Sequence, residues 1–342
     1  MLLTPKRSLV GLDIGTRSIK AVEFTEDKPG VPQVSGFVHR ELTSGESLKD
    51  AVSQTIHAGK FKTRRVASAI SGKSVTVRYI TMPRMDDEDL KNLLPVEAGK
   101  YIPFEVSDSM LDAQKVETEK TDNKEMKVLL VAAKKSFVME HIKLIEDAGL
   151  TSAFIDVDSF ALGNSYELRN TQDGKTVPND RVMALIDIGA TKTSINIMLG
   201  TTSCFAREIY SAGNDFTEQL SKKLGLDNVK AEELKRDPGN RVAEIIESTG
   251  SLIEDLCQEI HLSFDLFENQ YDKKVDNIGI SGGGSLLSGI DETFERTFNV
   301  RPSRVDPLEG FSIAPNVQAQ ELRAKAAHLT IAAGLASRLV RG

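Results

Sequence analysis

Val10-Gly11-Leu12-Asp13-Ile14-Gly15-Thr16-Arg17-Ser18-Ile19-Lys20 reads as an apolar strand ending on an acid, a glycine turn with small hydroxyls, and a second strand. The same design returns as Ala184-Leu185-Ile186-Asp187-Ile188-Gly189-Ala190-Thr191-Lys192-Thr193-Ser194-Ile195. The two Asp-Ile-Gly triplets lie about half the chain apart, and self-similarity on that scale points to two related structural halves. Two glycine hairpins facing each other can grip one anion. Their backbone N–H groups cradle phosphate, their hydroxyls add donors, and Lys20 adds charge. Asp13 and Asp187 are then placed to hold a divalent cation through its water shell, because Mg²⁺ dehydrates reluctantly. The plainer alternative is that each phrase is an ordinary hairpin with a tight glycine turn. The pairing makes a nucleotide site the stronger reading.

Composition sets the frame. At 342 residues the chain is expected to hold roughly two domains. A hydrophobic content of 40% and a charged content of 27% describe an ordinary globular protein. A net charge of −7 and the lack of a basic stripe with interleaved aromatics argue against nucleic acid as a partner. Cys204 and Cys257 have no metal-ligand spacing and imply no disulfide framework, which favours a reducing compartment. Met1 to Arg7 does not resemble a signal peptide, and no run of roughly 20 apolar residues predicts a membrane span.

In the first half, a third strand is expected over Val34 to Leu42, a helix over Ser47 to Ala58, and strands over Arg65 to Ser71 and Ser74 to Met82. After Pro83, the acids Asp86 to Asp89 mark a helix start. Strands over Ser109 to Val116 and Lys127 to Ala133 flank the charged stretch Glu117 to Glu125, which reads as a solvated loop. Residues 84 to about 127 therefore form a predicted insert. A helix over Ser136 to Ala148 ends at Gly149, a strand covers Ala153 to Val157, and a helix covers Ser159 to Leu168. The polar segment Thr171 to Asp180 is the expected linker, giving domains at 1–172 and 180–342.

In the second half, a strand over Ser203 to Ile209 leads to a turn at Gly213 and a helix. From Val242 to Tyr271, Ile246, Ile253, Leu256, Ile260, Phe264, Phe267 and Tyr271 recur every three or four positions, as a core-facing helix stripe does. Strand Val275 to Ile280 then runs through Ser281-Gly282-Gly283-Gly284-Ser285 into an expected helix over Leu286 to Phe298. Such a turn offers N–H groups to an anion and lets backbone approach a flat base without a Cβ collision. The C-terminal segment Ala319 to Val340 reads as a helix, with Ala332-Ala333-Gly334-Leu335-Ala336 as a small-residue face.

Five passages in order, Asp13-Ile14-Gly15, Ile155 to Ala161, Asp187-Ile188-Gly189, Gly282-Gly283-Gly284 and Ala333-Gly334-Leu335-Ala336, resemble the motif frame of the actin and sugar-kinase superfamily. Within it, Glu97-Ala98-Gly99-Lys100-Tyr101-Ile102-Pro103-Phe104 resembles the signature of the PilM family of type IV pilus assembly, as do Val128 to Lys135 with Gly149-Leu150 and Ile155 to Leu162. The resemblance runs from about residue 8 to about 337. It implies an α/β, actin-like (ribonuclease H-like) duplicated ATPase fold. Two domains close around a nucleotide cleft, a small subdomain is inserted in the first half, and the C-terminal helix, about 319–340, returns toward the first domain. It implies ATP and Mg²⁺ as ligands, with Asp13 and Asp187 at the metal. Gly15, Thr16, Arg17, Ser18, Lys20, Gly189, Ala190, Thr191, Thr193 and Gly213 would surround phosphate, and Glu232, Lys235, Gly282, Gly283, Gly284 and Ser285 adenosine. Asp187 and Asp158 are the candidate catalytic groups for an ATPase that is weak at most.

As partner, the resemblance implies the cytoplasmic N-terminal tail of a PilN-like inner-membrane protein, in a pilus or related type II secretion-like complex. The tail would lie in a groove between the first domain and the insert. Ile102, Pro103 and Phe104 are expected either to edge that groove or to pack the insert's own core. Pilus motor ATPases and self-association stay open, and the expected location is cytoplasmic, at the inner face of the membrane through the partner. Two alternatives belong to other classes. One is a small-molecule kinase using Asp156 or Asp158 as base. The other is an FtsA-like division protein, disfavoured because this sequence shows no C-terminal amphipathic tail after its last helix. Pro95 and Gly99 depart from a straight helix, and Arg17 stands where a small hydroxyl residue is usual, facing either solvent or phosphate.

Overall fold

The computed structural model describes residues 7–28, 31–116, 124–171 and 175–341. The chain opens with an antiparallel meander, β1 (Arg7–Ile14), β2 (Ser18–Lys28) and β3 (Val31–Glu41), covered by α1 (Leu48–Gly59) and followed by β4 (Arg65–Ile70). A separate sheet is built from β5 (Val75–Pro83), β6 (Ser109–Val116) and β7 (Glu125–Lys134), with α2 (Asp87–Ala98) between its first two strands. α3 (Lys135–Asp147), β8 (Thr151–Val157) and α4 (Asp158–Asn170) complete the first half.

The second half repeats the plan with β9 (Val182–Ile188), β10 (Thr193–Leu199) and β11 (Thr202–Ile209), then α5 (Gly213–Leu224), α6 (Asn228–Arg236) and the long α7 (Val242–Tyr271). β12 (Ile278–Ser281), α8 (Ile290–Phe298) and β13 (Ser303–Arg304) follow. The chain ends with β14 (Ser312–Ile313), α9 (Ala319–Ala324), α10 (Thr330–Ala336) and α11 (Arg338–Arg341).

The strand orders β14-β3-β2-β1-β4-β8 and β11-β10-β9-β12-β13 show the duplication. In each sheet a three-stranded antiparallel meander is extended by two parallel strands. β1 and β9 are central and covered on both faces, which is why both read as near-continuous apolar runs. The halves are joined by backbone-close packing of α10 against β1 and α4. A Cβ on Gly11 would lie 1.9 Å from the Ala332 carbonyl oxygen, and one on Gly334 would lie 1.7 Å from that of Ala161. Only glycine fits at either point. Among the described residues, no helix is long and apolar enough to cross a membrane.

Several expected boundaries move. The separate sheet begins at Val75 and ends at Lys134, wider than the predicted 84–127, because β5 and β7 pair with each other rather than with β4. β14, from the second half, pairs with β3, so the chain has already crossed back at residue 312. The C-terminal segment is three short helices, not one. α2 runs through Pro95, which is exposed, because Leu90, Leu94 and Ala98 bury one face at four-residue spacing; Gly99 caps it. In α7, Ile245 is buried in place of Ile246, and the rest of the predicted stripe lies in the core. Parts of the predicted loop Glu117 to Glu125 (117–123) and linker Thr171 to Asp180 (172–174) lie outside the described residues.

Candidate functional site: two glycine turns and a cross-half cleft

The two repeated phrases form the same turn. Asp13 lies opposite Lys20 and Ile14 opposite Ile19; Asp187 lies opposite Ser194 and Ile188 opposite Thr193. Gly15 N–H donates to the Ser18 carbonyl at 3.1 Å, and Gly189 N–H to the Lys192 carbonyl at 3.0 Å. A Cβ on Gly15 would sit 2.9 Å from Ser18 O and from Lys20 Nζ, and one on Gly189 would sit 2.9 Å from Lys192 O. Both turns therefore require glycine, but the glycine amides are spent inside the turns. The tip residues Thr16, Arg17 and Thr191 are exposed, and the Oγ1 atoms of Thr16 and Thr191 meet across the halves at 3.3 Å.

Behind the tips stand the two acids. Lys20 Nζ pairs with Asp13 Oδ2 at 3.1 Å, and Ser281 Oγ donates to Asp187 Oδ1 at 2.7 Å from the neighbouring strand. Burial raises the Asp13 carboxyl above its usual value against the opposing charge of Lys20. Burial also pushes Asp187 up to about 6, against the lowering by Ser281. Lys20 is raised in turn, the attraction of Asp13 overcoming desolvation. Among the described residues no group of three or more His, Cys, Asp or Glu converges on a metal position. Two carboxylates facing one gap suit Mg²⁺, which completes its shell with water and phosphate oxygen rather than protein ligands.

Lys192, which the sequence reading did not select, belongs to the same charge cluster, its ammonium opposing the rise of Asp13 while Asp158 adds to it. Lys192 Nζ binds Asp158 Oδ2 and Glu208 Oε1, each at 2.7 Å, and Glu208 also accepts the Gly72 N–H at 3.0 Å. Asp158, a candidate catalytic acid, is thus held in an ion pair between the halves. Two other predicted hydroxyls are engaged as well: Thr193 Oγ1 donates to Ser211 O at 2.7 Å, and Ser285 Oγ to Gly282 O at 2.8 Å. Ser18 is buried at the start of β2.

On the adenosine side, Gly282 has φ +81°, and a Cβ there would meet Ile188 O at 2.3 Å. One on Gly284 would meet Ile188 Cγ2 at 2.4 Å. These two glycines serve packing on β9; only Gly283 is exposed. The turn continues as a 3-10 segment over Gly283–Leu286, and α8 starts at Ile290, four residues later than the predicted helix. His328, also unselected, lies 3.0 Å from where a Gly283 Cβ would be and stacks on His39 with centroids 4.5 Å apart. Burial, with nearby Lys20 and Lys325, keeps both imidazoles neutral, His39 at about 3 and His328 at about 4.

α5 docks its start on the second turn, with Gly213 N–H donating to Gly189 O at 3.0 Å and Asn214 N–H to Ala190 O at 2.7 Å. Lys235 Nζ donates to Gly213 O (2.9 Å), Thr217 Oγ1 (2.8 Å) and Glu232 Oε2 (2.6 Å). Glu232 and Lys235 thus stand beside the cleft with their polar atoms engaged. Two ion pairs cross it, Arg17 Nε to Glu232 Oε1 at 3.6 Å and Arg236 Nη1 to Glu41 Oε1 at 2.5 Å.

A second feature is a cavity of about 570 Å³ between the separate sheet, β8, α4 and the turn before β11. β6 supplies Met110 to Val116 and is an edge strand of its sheet. Its wall is mixed: Leu129, Val131, Val138 and Phe160 supply apolar surface, and Gln114, Lys115, Asn164 and Glu167 supply polar groups. At one end Asp156 Oδ2 accepts from Arg338 Nη2 at 2.6 Å and from Asn164 Nδ2 at 3.1 Å. Ile102, Pro103 and Phe104 are neither among its lining residues nor in the core cluster of the separate sheet and α2; Ile102 and Phe104 are half-buried and Pro103 is exposed.

The family model described as type IV pilus assembly protein PilM matches residues 11–340. The chain belongs to the PilM family. A solved structure of the PilM–PilN type IV pilus biogenesis complex is 27% identical over 97% of this chain and 98% of that one, with a TM-score of 0.85. The ethanolamine utilization protein EutJ from Carboxydothermus hydrogenoformans is 14% identical over 99% of this chain and 92% of that one, at a TM-score of 0.56, a likeness of fold. The PilM fold here is the expected duplicated, actin-like α/β architecture, and the match favours a pilus-assembly scaffold over the kinase and division-protein alternatives.

Proposed function

We propose that this PilM-family chain is an ATP-binding scaffold that holds the cytoplasmic N-terminal tail of a PilN-like inner-membrane protein. Through that tail it is placed at the inner face of the cytoplasmic membrane. The observation that carries the partner reading is the 570 Å³ cavity beside the β6 edge. An edge strand offers unpaired N–H and C=O groups to an extended peptide, and apolar pockets select its alternate side chains. The likeness to the PilM–PilN complex supports the same partner. Met110→Glu, at an exposed position of the cavity wall, should weaken capture of the tail peptide at least tenfold while leaving the Mg-ATP titration unchanged. Full capture by this variant would place the docking site elsewhere.

The nucleotide reading rests on the paired turns. ATP phosphates would lie between the tips at Thr16 and Thr191, with Lys20 as counter-charge, and Gly283 would face the adenosine. Mg²⁺ would be held by Asp13 and Asp187 and would neutralise phosphate charge. With Asp158 bound to Lys192, the site favours holding nucleotide over hydrolysing it. ATP would then act as a ligand that sets the angle between halves, shifting the population of cleft states.

A further inference from the structure

β8 is the edge strand of its sheet, and its two ends meet different surfaces. Ile155, toward its C-terminal end, lines the cavity. Thr151, at its start, lies opposite Arg65 and donates its N–H to the Arg64 carbonyl at 2.8 Å. There the loop from α1 to β4 carries Lys60, Lys62, Arg64 and Arg65, all exposed, in a chain whose net charge is −7. Among the described residues none of the four side chains makes an ion pair, whereas Arg40, Arg207, Arg304 and Arg338 each hold a carboxylate. Of the acids nearest in the fold, Glu26 is matched by Arg7 and Asp147 by Lys143. Setting Glu23, beneath the loop, and Glu146, in the last turn of α3, against the four cations still leaves a positive surplus. The loop has a fixed base. Glu23 is fully buried on β2, and its Oε1 accepts the Lys62 N–H at 2.7 Å and the Thr63 N–H at 3.1 Å, while Ser35 Oγ donates to Oε2 at 2.6 Å. The Phe61 ring is turned inward, so that a Cβ on Gly59 would come within 2.3 Å of it. Lys60 has φ +48°, a backbone position where glycine is the low-strain residue. The other non-glycine residues with positive φ among those described are Asp272 and Asn299, types that tolerate it better than lysine.

We propose that the loop Lys60 to Arg65 is a contact surface for anionic phospholipid headgroups, which orients the chain on the membrane that its partner spans. The inference rests on the tail-docking reading above for what brings the chain there. Thr151 and Ile155 are four residues apart, about 13 Å of strand, so the cavity and the loop are neighbours on one sheet edge. A basic patch of this size binds a bilayer weakly by itself and gains when a second attachment holds it close. The acidic remainder of the chain is repelled by the same surface, so the attraction selects one face. A nucleic-acid strand fits the loop less well, because its aromatic residue faces the core and offers no plane for a base to stack on.

The test is cosedimentation of the full chain with vesicles of phosphatidylcholine, alone or with about one-third phosphatidylglycerol. The wild-type chain should favour the anionic vesicles about tenfold or more, and the preference should fade as salt rises from about 50 to about 300 mM. The combined variant Lys62→Gln, Arg64→Gln, Arg65→Gln should lose about tenfold in that binding, and Arg64→Gln alone should lose part of it. A control that removes as many charges from α5 and α6, Lys222→Gln, Lys223→Gln, Lys230→Gln, should stay within twofold of wild type. The loop variant should still capture the tail peptide as wild type does, which also reports that it is folded. No preference for anionic vesicles, equal losses in the two combined variants, or loss of tail capture in the loop variant would each overturn the assignment. So would wild-type binding to a duplex oligonucleotide that the loop variant loses while its vesicle binding persists. A wild-type chain that binds anionic vesicles through the loop but never captures the tail would uphold the lipid surface and sink the docking reading instead.

Discussion

At the first turn the lysine lies opposite its own acid, Lys20 on Asp13 at 3.1 Å; at the second the position opposite Asp187 is Ser194. The second turn's lysine stands two residues earlier and pairs with Asp158 and Glu208 instead of with its own turn's acid. The backbones match because the same steric constraint acts on both, a glycine whose Cβ would strike the turn's own carbonyl at 2.9 Å. Nothing constrains the side chains in the same way. The first turn has kept its positive charge facing the cleft, in Lys20 and Arg17. The second has spent its lysine on joining the halves, leaving Asp187 beside a serine with its proton affinity raised.

The largest effect that would break this contrast comes from the lysines. Lys192→Met leaves Asp158 and Glu208, each about one-fifth exposed, without their shared partner. Stability should fall by about 2 kcal/mol, less than for a fully buried pair because water reaches all three groups. Lys20→Met should lower stability less and nucleotide affinity more, at least tenfold. Urea melts and Mg-ATP titrations of the two variants decide; the same pattern in both would erase the distinction.

Next is Asp187→Ala, expected to weaken Mg²⁺-dependent ATP binding about tenfold or more, roughly 1.4 kcal/mol. Unchanged affinity would take Asp187 out of the metal site. A pH series sharpens the same point. Asp187 titrates at about 6 in the folded chain, above the ordinary 3.8, so it takes up a proton as pH falls through 6. Mg²⁺-dependent affinity should drop over that window. Because the folded carboxyl holds its proton more tightly than the unfolded one, its contribution to stability moves the other way. It is fully present at low pH and is lost as pH rises through 6. Denaturation of wild type and Asp187→Asn at pH 5 and 7.5, without ligand, should show the wild type losing more stability at the higher pH.

The smallest expected effect is at the tips. Thr191→Val removes an exposed hydroxyl contact of 3.3 Å and should change stability by less than about 0.5 kcal/mol. A larger loss would mean that the turns are held together by this contact rather than by the ion pairs around them.

Much of the site was legible because its signals are local. Asp-Ile-Gly is a strand end and a turn, and a turn's requirement for glycine is written in the residue itself, so Asp13, Gly15, Asp187 and Gly189 could be read without knowing what faces them. Lys192 sat inside the repeated phrase but carried no sign of its direction, since Asp158 and Glu208 reach it only through packing of the halves. His39 and His328 had no signal, because their stack joins β3 to the segment before α10 across nearly the whole chain. Gly282 and Gly284 read as ligand-facing and are packing residues, for Ile188 lies against both.

The sequence by itself determined the duplication, the two glycine turns with their acids, the buried stripe of α7 and the small-residue face of α10, since each depends on periodicity or on one residue's backbone freedom. Tertiary structure alone decided where the separate sheet begins and which surface lines the groove, because strand pairing and closure of the halves are settled by long-range contacts. It also decided that one lysine faces the cleft while the other clasps it. Matching turns can send their lysines to different carboxylates, and which carboxylates lie within reach depends on what distant segments bring there.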